Sequence, residues 1–181
     1  TNRLFVVKND VTPGRIEVID LSNPSTPSII GNILISDYGN AVNSVSVNNG
    51  MLAAAIESNP KQNPGRIVVF RTSDYTVLAN KEAGALPDMV TFSPDGKFII
   101  SANEGEPNDA YTIDPVGTVS ILDVHQNFAV TTIDFSGFAG QEDLLKAKGL
   151  RKFGLNASFA QDMEPEYVGI SANSKTAWVS L

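Results

Sequence analysis

Short apolar runs separated by polar turns recur along the whole chain. Val90–Phe92 and Phe98–Ile100 flank the turn Ser93–Lys97, which contains a proline and a glycine. Proline fixes its own φ and glycine accepts the positive φ that closes such turns, so this stretch predicts a β-hairpin. The same unit occurs upstream at residues 45–51 and downstream at residues 168–175. The pattern therefore predicts an all-β chain built from repeats.

The repeat has a regular spacing. Asp10, Glu57 and Glu104 each follow the same predicted strand in consecutive units, and 47 residues separate each from the next. We name the four strands of a unit a, b, c and d in chain order. The chain then holds strands b, c and d, two complete units, and a final a and b. A period of about 40–50 residues with four strands is typical of β-propeller blades. We therefore expect a β-propeller fragment of about three four-stranded blades.

One stretch interrupts the repeat and carries a helical pattern. Gln141–Lys148 has acidic residues at its start and lysines at its end, as the helix dipole favours, and Gly149 follows as a stop signal. We interpret residues 136–163 as an inserted loop with a helix rather than a second domain. The predicted blade parts are residues 1–35, 43–80, 88–135 and 166–181.

Composition narrows the possible partners. The 181 residues are 42% hydrophobic and carry a formal net charge of −7. These values suit a globular protein with a core, and the acidic surplus would repel a phosphate backbone, so we do not expect nucleic acid as a partner. No apolar run reaches the length of a membrane span, so no span is expected in this segment. The absence of cysteine excludes disulfides and thiolate zinc sites.

The ends of the sequence suggest a piece of a longer protein. The chain starts at Thr1 without a methionine, and it ends inside the apolar run Thr176–Leu181. Because propellers typically have 4–8 blades, the predicted strands make roughly half a ring with open edges. We expect either the remainder of the propeller or a second copy of the chain to cover those edges.

The direction of the strands predicts where the long connections meet. Strand a runs away from the face that carries the d–a and b–c links, and strand b returns to that face. The long segments Glu57–Pro64, Glu104–Val116 and Ser136–Met163 are all links of these two kinds. We call the face on which they meet the loop face. Function is usually carried by long loops on a rigid scaffold, so we expect the functional site there.

Acidic residues concentrate on the predicted loop face. Oxygen ligands of this kind suit Ca²⁺ or Mg²⁺ rather than zinc, and we predict a calcium site at the mouth of the central channel. The alternative is that these side chains cap backbone N–H groups and keep the face soluble. The candidate metal ligands are Asp88, Glu104, Glu106, Asp109, Glu164 and Glu166, with Asp10, Asn43, Glu57, Asp114 and Asp162 nearby in the pattern.

Other side chains support weaker hypotheses. Tyr111 and Tyr167 lie near the acidic residues and could stack on a sugar or a peptide as part of a surface ligand site, or could serve in packing. The single histidine, His125, falls in a c–d turn on the opposite face, so we expect it at the surface. No catalytic residue is assigned, because no Ser-His-Asp arrangement or nucleotide-binding loop is present. Trp178 lies in the last predicted strand, and we expect its side chain in the blade core.

Several motifs resemble known propeller families. Gly14–Pro24 resembles an LVIVD-type repeat, and Phe92–Lys97 resembles the YVTN type. Ser101–Asn108, followed by Gly117–Ser120 and later by Glu164–Val168, is similar to the choice-of-anchor I family. Those proteins are bacterial secreted or surface-anchored β-propellers, often labelled mesenchyme-specific cell surface glycoprotein or alkaline-phosphatase-like. The resemblance implies an extracytoplasmic location and a larger parent protein.

Two functional hypotheses follow from these observations. The first is a secreted or cell-surface binding and adhesion module that is stabilised by calcium and recognises a surface ligand. The second is a part of a metal-dependent phosphoesterase, which the alkaline-phosphatase-like label implies. Such an enzyme needs a metal-activated water and would place its site on the acidic loop face.

Overall fold

The chain folds into successive small antiparallel sheets, as the repeat predicts. The computed structural model describes residues 2–154 and 156–181. Thr1, where the first predicted blade part begins, and Leu155, within the predicted insertion, lie outside the described residues. The strands are β1 (Arg3–Lys8), β2 (Arg15–Asp20), β3 (Ser28–Leu34), β4 (Ala41–Asn48), β5 (Met51–Glu57), β6 (Pro64–Arg71), β7 (Val77–Ala85), β8 (Pro87–Phe92), β9 (Phe98–Asn103), β10 (Thr118–Asp123), β11 (Ala129–Ile133), β12 (Val168–Ile170) and β13 (Ala177–Val179).

The strand order confirms a β-propeller fragment. The first sheet has the order β1-β2-β3, the second β4-β5-β6-β7, the third β8-β9-β10-β11, and the fourth β12-β13. Every neighbouring pair within a sheet is antiparallel. Strands β4 and β8, the predicted a strands of the two complete blades, contact each other across the sheets. The a strands therefore lie on the inner side of the blades.

The middle strand β5 shows why a blade folds only beside its neighbours. Its sequence, Met51–Glu57, is apolar at six consecutive positions instead of alternating. Leu52, Ala54 and Ile56 pack into a buried cluster with the first sheet, whereas Ala53 and Ala55 pack into a cluster with the third. Because both faces of the sheet are covered, the five inner positions of this strand, Leu52–Ile56, are all buried.

Tight turns lie at the ends of the blades opposite the long links. Asn49 and Gly50 both have positive φ, as a two-residue hairpin turn requires. In the next blade, the amide of Gly96 donates to Ser93 O over 2.8 Å. These turns also join neighbouring sheets, because Asn48 Nδ2 donates to Ser93 O and the Asp95 amide donates to Ser174 Oγ. His125 lies exposed in a short 3-10 turn between β10 and β11, which confirms its predicted surface position.

The inserted segment contains the predicted helix. Helix α1 covers Glu142–Ala147, with two acidic residues in its first turn and Lys146 in its last. The chain then leaves the helix at Gly149, whose φ of +102° is readily adopted only by glycine. The amide of Leu150 donates back to Leu145 O, which closes the last turn. None of the helices among the described residues is long and apolar enough to cross a membrane.

Trp178, which the sequence predicts in the blade core, is not buried in the described chain. Val168, Ile170 and Val179 face the third sheet, where they contact a buried cluster that includes Ile100. Trp178 pairs with Gly169, one position out of phase, so it points to the opposite face and is 62% exposed. No other sheet within the described part of the chain packs on that face.

Candidate functional site

The long connections meet on one face of the sheets, as the strand directions predict. Lys61 Nζ donates to the carboxylate of Glu106, and Gln62 Nε2 donates to Glu106 O over 3.2 Å. Gln161 Nε2, from the insertion, donates to Asp114 O over 2.7 Å. The loop of the second sheet therefore touches the long loop of the third, which in turn touches the insertion. The prediction of a common loop face is confirmed.

A repeated bulge aims one polar side chain per blade at the loop face. The register of β4 with β5 shifts at Asn43, and the register of β8 with β9 shifts at Asp88. These two residues occupy the same position in consecutive blades. A bulge re-aims the side chain that it carries. Asn43 Nδ2 donates to Glu57 Oε2 over 3.3 Å and to Pro87 O over 3.2 Å, and it thus ties the second blade to the third.

Five predicted metal ligands approach one another on this face, and we call them the acidic rim: Asp88, Glu104, Glu106, Glu164 and Glu166. They come from β8, from the loop after β9 and from the segment before β12. The amide of Glu104 donates to Leu86 O, and the amide of Gly105 donates to Ala85 O, so the backbone at Glu104 is fixed. Glu104 feels the charges of the other four residues, so the five lie near one another, and their role as metal ligands stays a prediction.

The electrostatics of the acidic rim reflect crowding of like charges. Burial, with added repulsion from Glu106, Asp88, Glu164 and Glu166, raises the pKa of Glu104 to about 7. Burial also raises the pKa of Asp88, and the charges of Glu166 and Glu106 raise it further. The pKa of Glu164 rises for the same reasons, burial first and neighbouring carboxylates second. A carboxylate on this rim therefore gains from the arrival of positive charge.

Lys61 supplies a cation that the sequence did not assign to the site. Its ammonium pairs with Glu106. This hydrogen bond raises the pKa of Lys61, and the charges of Glu106, Glu104 and Glu57 raise it further. The position of Lys61 in a b–c link was a usable signal, because all such links meet on the loop face. Which acid it contacts depends on the path of two loops, and no spacing in the sequence encodes that path.

Three other acids of the predicted set lie outside the acidic rim. Asp10 occupies in the first sheet the repeat position that Glu104 occupies in the third. Its carboxylate accepts a hydrogen bond from Arg15 Nη1 over 2.9 Å, and this ion pair balances its charge. Asp162 accepts from the amides of Phe153 and Gly154, so it holds the insertion loop. Asp109 is exposed and lines a surface cavity beside Lys61 and Gln62. These three residues fit the alternative interpretation, in which the acids support the loops and their solubility.

The donor chemistry of the acidic rim suits a hard cation, but its side chains do not form a cage. Carboxylate oxygens are the ligands that Ca²⁺ prefers. Among residues 2–154 and 156–181, no three His, Asp or Glu side chains are arranged so that they could hold a metal ion. A bound ion would therefore require side chains of the acidic rim to rotate towards each other. Calcium binding stays a prediction.

The two candidate aromatic residues are both accessible. Tyr111 lies in the long loop of the third blade, and Tyr167 lies just before β12. Each is 64% exposed, so neither is packed into a core in this chain. An exposed aromatic ring beside carboxylates can stack on a ligand, and this role stays a prediction for both tyrosines.

Comparisons with known proteins agree with the architecture. A family model described as "Choice-of-anchor I domain" matches residues 1–181. No curated protein matches the sequence. Among solved structures, hydrazine synthase from Kuenenia stuttgartiensis is similar with a TM-score of 0.67 at 16% identity over 98% of this chain and 46% of its own. TolB from Acinetobacter baumannii is similar with a TM-score of 0.50 at 15% identity over 98% of this chain and 34% of its own.

A third similar structure is a complex of two proteins. The complex of KlAtg21 with the coiled coil of AgAtg16 gives a TM-score of 0.54 at 15% identity, over 99% of this chain and 46% of the other. The chain thus spans less than half the length of each of these three structures. At such identities the similarity shows the β-propeller fold alone.

Proposed function

The chain belongs to the choice-of-anchor I family, and from this membership and the geometry of the loop face we propose that it is part of a secreted or cell-surface β-propeller that binds a ligand on that face. One observation carries the proposal. The third blade and the segment that leads into the fourth sheet converge on the acidic rim, where the carboxyl group of Glu104 has its pKa raised to about 7 by burial and by the surrounding acids. Carboxyl groups with strongly raised pKa values are concentrated at functional sites in proteins.

We further propose that a calcium ion stabilises the acidic rim. The support is chemical: the side chains are all oxygen ligands, and Asp88, Glu104 and Glu164 have their carboxyl pKa values raised by burial and by repulsion that a cation would relieve. Lys61 already provides one positive charge on this surface through Glu106. A divalent ion would balance the negative charge of the remaining carboxylates in the same way.

We expect calcium to raise the melting temperature of the protein. A ligand at about 100 times its dissociation constant adds roughly 2.7 kcal/mol to the free energy of unfolding. For a chain of this size that corresponds to about 5–10 °C. The measurement compares melting by circular dichroism in Ca²⁺ with melting in EDTA. Glu104→Gln and Glu166→Gln should abolish the difference, whereas Asp10→Asn, which changes an acid of the first sheet, should preserve it. Equal midpoints in the two buffers would rule out a structural ion.

We also propose that the open faces of the outer sheets are covered in the complete molecule, by the remainder of the propeller or by a second copy of this chain. On the first sheet, Leu4, Ile29 and Leu34 are exposed. On the fourth sheet, Trp178 is exposed, and Leu181, two residues after β13, is exposed as well. Apolar surface of this extent on a propeller blade suits contact with another blade.

The single tryptophan of the chain tests this proposal. For the isolated chain at low concentration, we expect the emission of a water-exposed indole. Emission should shift to shorter wavelength when Trp178 becomes covered. A shift that depends on protein concentration would identify a second copy, and a shift seen only in the full-length parent would identify the remainder of the ring. An unchanged spectrum under both conditions would contradict the proposal.

The phosphoesterase hypothesis stays a prediction. It needs an activated water on the acidic rim, and a metal ion would supply that activation. Assay of the full-length parent with phosphoesters in the presence of Ca²⁺ tests it, and the absence of any turnover would exclude it.

A further inference from the structure

The hairpin turn between β4 and β5 carries the only Asn-Gly pair of the sequence, Asn49–Gly50. Asn48 pairs with Met51 across the two strands, so these two residues form the whole turn. Their φ values are +46° and +77°, in the left-handed region that asparagine and glycine adopt most readily. Both residues are exposed. The hairpin belongs to the second sheet, which packs on the first sheet on one side and on the third sheet on the other.

The two groups of this pair that can react with each other are free of hydrogen bonds. Among residues 2–154 and 156–181, neither the side-chain amide of Asn49 nor the backbone N–H of Gly50 forms one, whereas the adjacent Asn48 is held through its Nδ2 on Ser93 O. A Cβ added at Gly50 would meet no atom within 4 Å. The space around Gly50 is therefore open, and rotation within the turn brings its nitrogen towards Cγ of Asn49.

We propose that Asn49–Gly50 is a site of spontaneous covalent modification, at which the folded protein converts Asn49 to aspartate and isoaspartate without an enzyme. The nitrogen of Gly50 bonds to Cγ of Asn49, the Cγ–Nδ2 bond breaks, and Nδ2 leaves as ammonia with the proton that the Gly50 nitrogen gives up. Water then opens the cyclic imide, with its hydroxyl on a carbonyl carbon and its proton on the nitrogen. Opening at Cγ gives aspartate, and opening at the main-chain carbon gives isoaspartate.

The modified side chain lies where the second sheet meets the third. A Cβ added at Gly96 would lie 2.6 Å from Asn49 Nδ2, so Asn49 lies against the turn Ser93–Lys97. That turn holds Asp95, and hydrogen bonds from the Ser93 hydroxyl and the Lys97 amide lower the pKa of its carboxyl group. The new carboxylate therefore faces a turn that already carries a negative charge. Isoaspartate also adds a carbon atom to the main chain of the hairpin, which the two-residue turn does not accommodate.

This inference goes beyond the proposed ligand binding and does not depend on it, because the turn lies at the end of the blade opposite the loop face. It assigns to the turn a change that accumulates with the age of the protein. The change adds negative charge between two neighbouring blades, and we expect it to loosen their contact at this end.

Peptide mapping by mass spectrometry tests the proposal on the whole chain, kept folded at neutral pH and sampled over time. Asn49 should lose ammonia to form the imide and then gain water to form aspartate and isoaspartate. A synthetic peptide of residues 45–52 gives the rate of the same pair without the fold, and the two rates should agree within a factor of about ten. A slower rate in the protein would mean that the hairpin adds more than about 1.4 kcal/mol to the barrier, and it would overturn the proposal.

Asn127 serves as the internal control. It is exposed and has a φ of +52°, close to that of Asn49. The residue that follows it is Phe128, whose side chain is buried. A side chain on the following residue hinders the attacking nitrogen, so Asn127 should stay unchanged while Asn49 converts. Equal conversion at the two positions would show that exposure alone decides, and it would overturn the assignment to the Asn-Gly turn.

A pair of variants tests the role of the glycine. Gly50→Asn keeps a residue that tolerates positive φ but adds a side chain, so conversion at position 49 should be lost. Gly137→Asn adds the same side chain at an exposed glycine of the insertion, where a Cβ also meets no atom within 4 Å, and should leave the conversion of Asn49 unchanged. Unchanged conversion in Gly50→Asn would contradict the proposed attack. The comparison of Asn49 with Asn127 needs no substitution, so it decides the matter even if a variant fails to fold.

Discussion

Phe70→Ala should destabilise the protein by about 3–5 kcal/mol, the usual cost of removing a buried aromatic ring and leaving a cavity. Phe70 lies in β6 and is 2% exposed. It belongs to the buried cluster that joins the first and second sheets, with Phe5 and Ile16 across the boundary. Its ring also makes an edge contact with Tyr38, with centroids 6.0 Å apart. The substitution therefore weakens the packing between the first and second sheets.

Urea unfolding followed by circular dichroism measures this effect, and Phe153→Ala is the matched control. The same side chain is removed, but Phe153 is 80% exposed, so the free energy of unfolding should change by no more than about 0.5 kcal/mol. If the two substitutions had equal effects, the first and second sheets would not be packed on each other through this cluster.

Asn103→Ala should cost about 2–3 kcal/mol through a different mechanism. Asn103 is fully buried at the end of β9. Its Nδ2 donates to Thr118 Oγ1 over 3.1 Å and to Ser120 Oγ over 2.9 Å, and its Oδ1 accepts from Ser101 Oγ over 3.0 Å. Removal of the amide leaves buried hydroxyl groups without partners, at about 1–3 kcal/mol for each group that stays unsatisfied.

This polar network lies against the neighbouring blade. A Cβ added at Gly84 would approach Thr118 Oγ1 to 2.2 Å and Asn103 Cβ to 2.8 Å, so β7 of the second sheet passes directly beside it. The control is Asn32→Ala, since Asn32 is exposed in β3. The free energy of unfolding of this variant should stay within about 0.5 kcal/mol of the value for the unsubstituted protein. Equal denaturation midpoints for the Asn103 variant and the parent would show that the network contributes nothing.

The sequence predicted the strands well because a blade buries both faces of its sheet. Continuous apolar runs such as Met51–Ile56 follow from that burial, whereas alternating runs such as Arg15–Asp20 are typical of a sheet with one covered face. The spacing of Asp10, Glu57 and Glu104 located the loop face, since a repeated fold places equivalent residues at equivalent ends. Pattern and spacing are properties of the whole repeat, and the sequence displays them directly.

What the sequence could not predict depends on single contacts. The bulges at Asn43 and Asp88 leave no mark on the apolar pattern, although they aim the side chains of the rim. The pairing of Lys61 with Glu106 depends on the paths of two irregular loops. Trp178 looked like a core residue because its strand is apolar, but its register places it on the uncovered face. Hydrophobicity fixes which residues can be buried and leaves open which neighbour buries them.

The pKa of Glu104 also has a consequence for stability. Burial and the nearby carboxylates raise the pKa of Glu104 to about 7 in the folded protein, from an ordinary value of 4.5. The unfolded chain therefore loses the proton at lower pH than the folded chain does. The contribution of Glu104 to the free energy of unfolding is fully present below about pH 4.5. It falls as the pH rises towards about 7. Glu104→Gln should remove this decline.

The pKa of Glu104, measured by NMR titration of its side-chain carboxyl carbon in metal-free buffer, tests the central claim most directly. That claim is that successive blades bring their carboxylates together on one rim. Since burial and the charges of Glu106, Asp88, Glu164 and Glu166 all raise the pKa of Glu104, the titration should centre near pH 7 and move downward in Glu166→Gln. A midpoint near 4.5 that does not respond to Glu166→Gln would show that the carboxylates are apart, and the account of the loop face would be wrong.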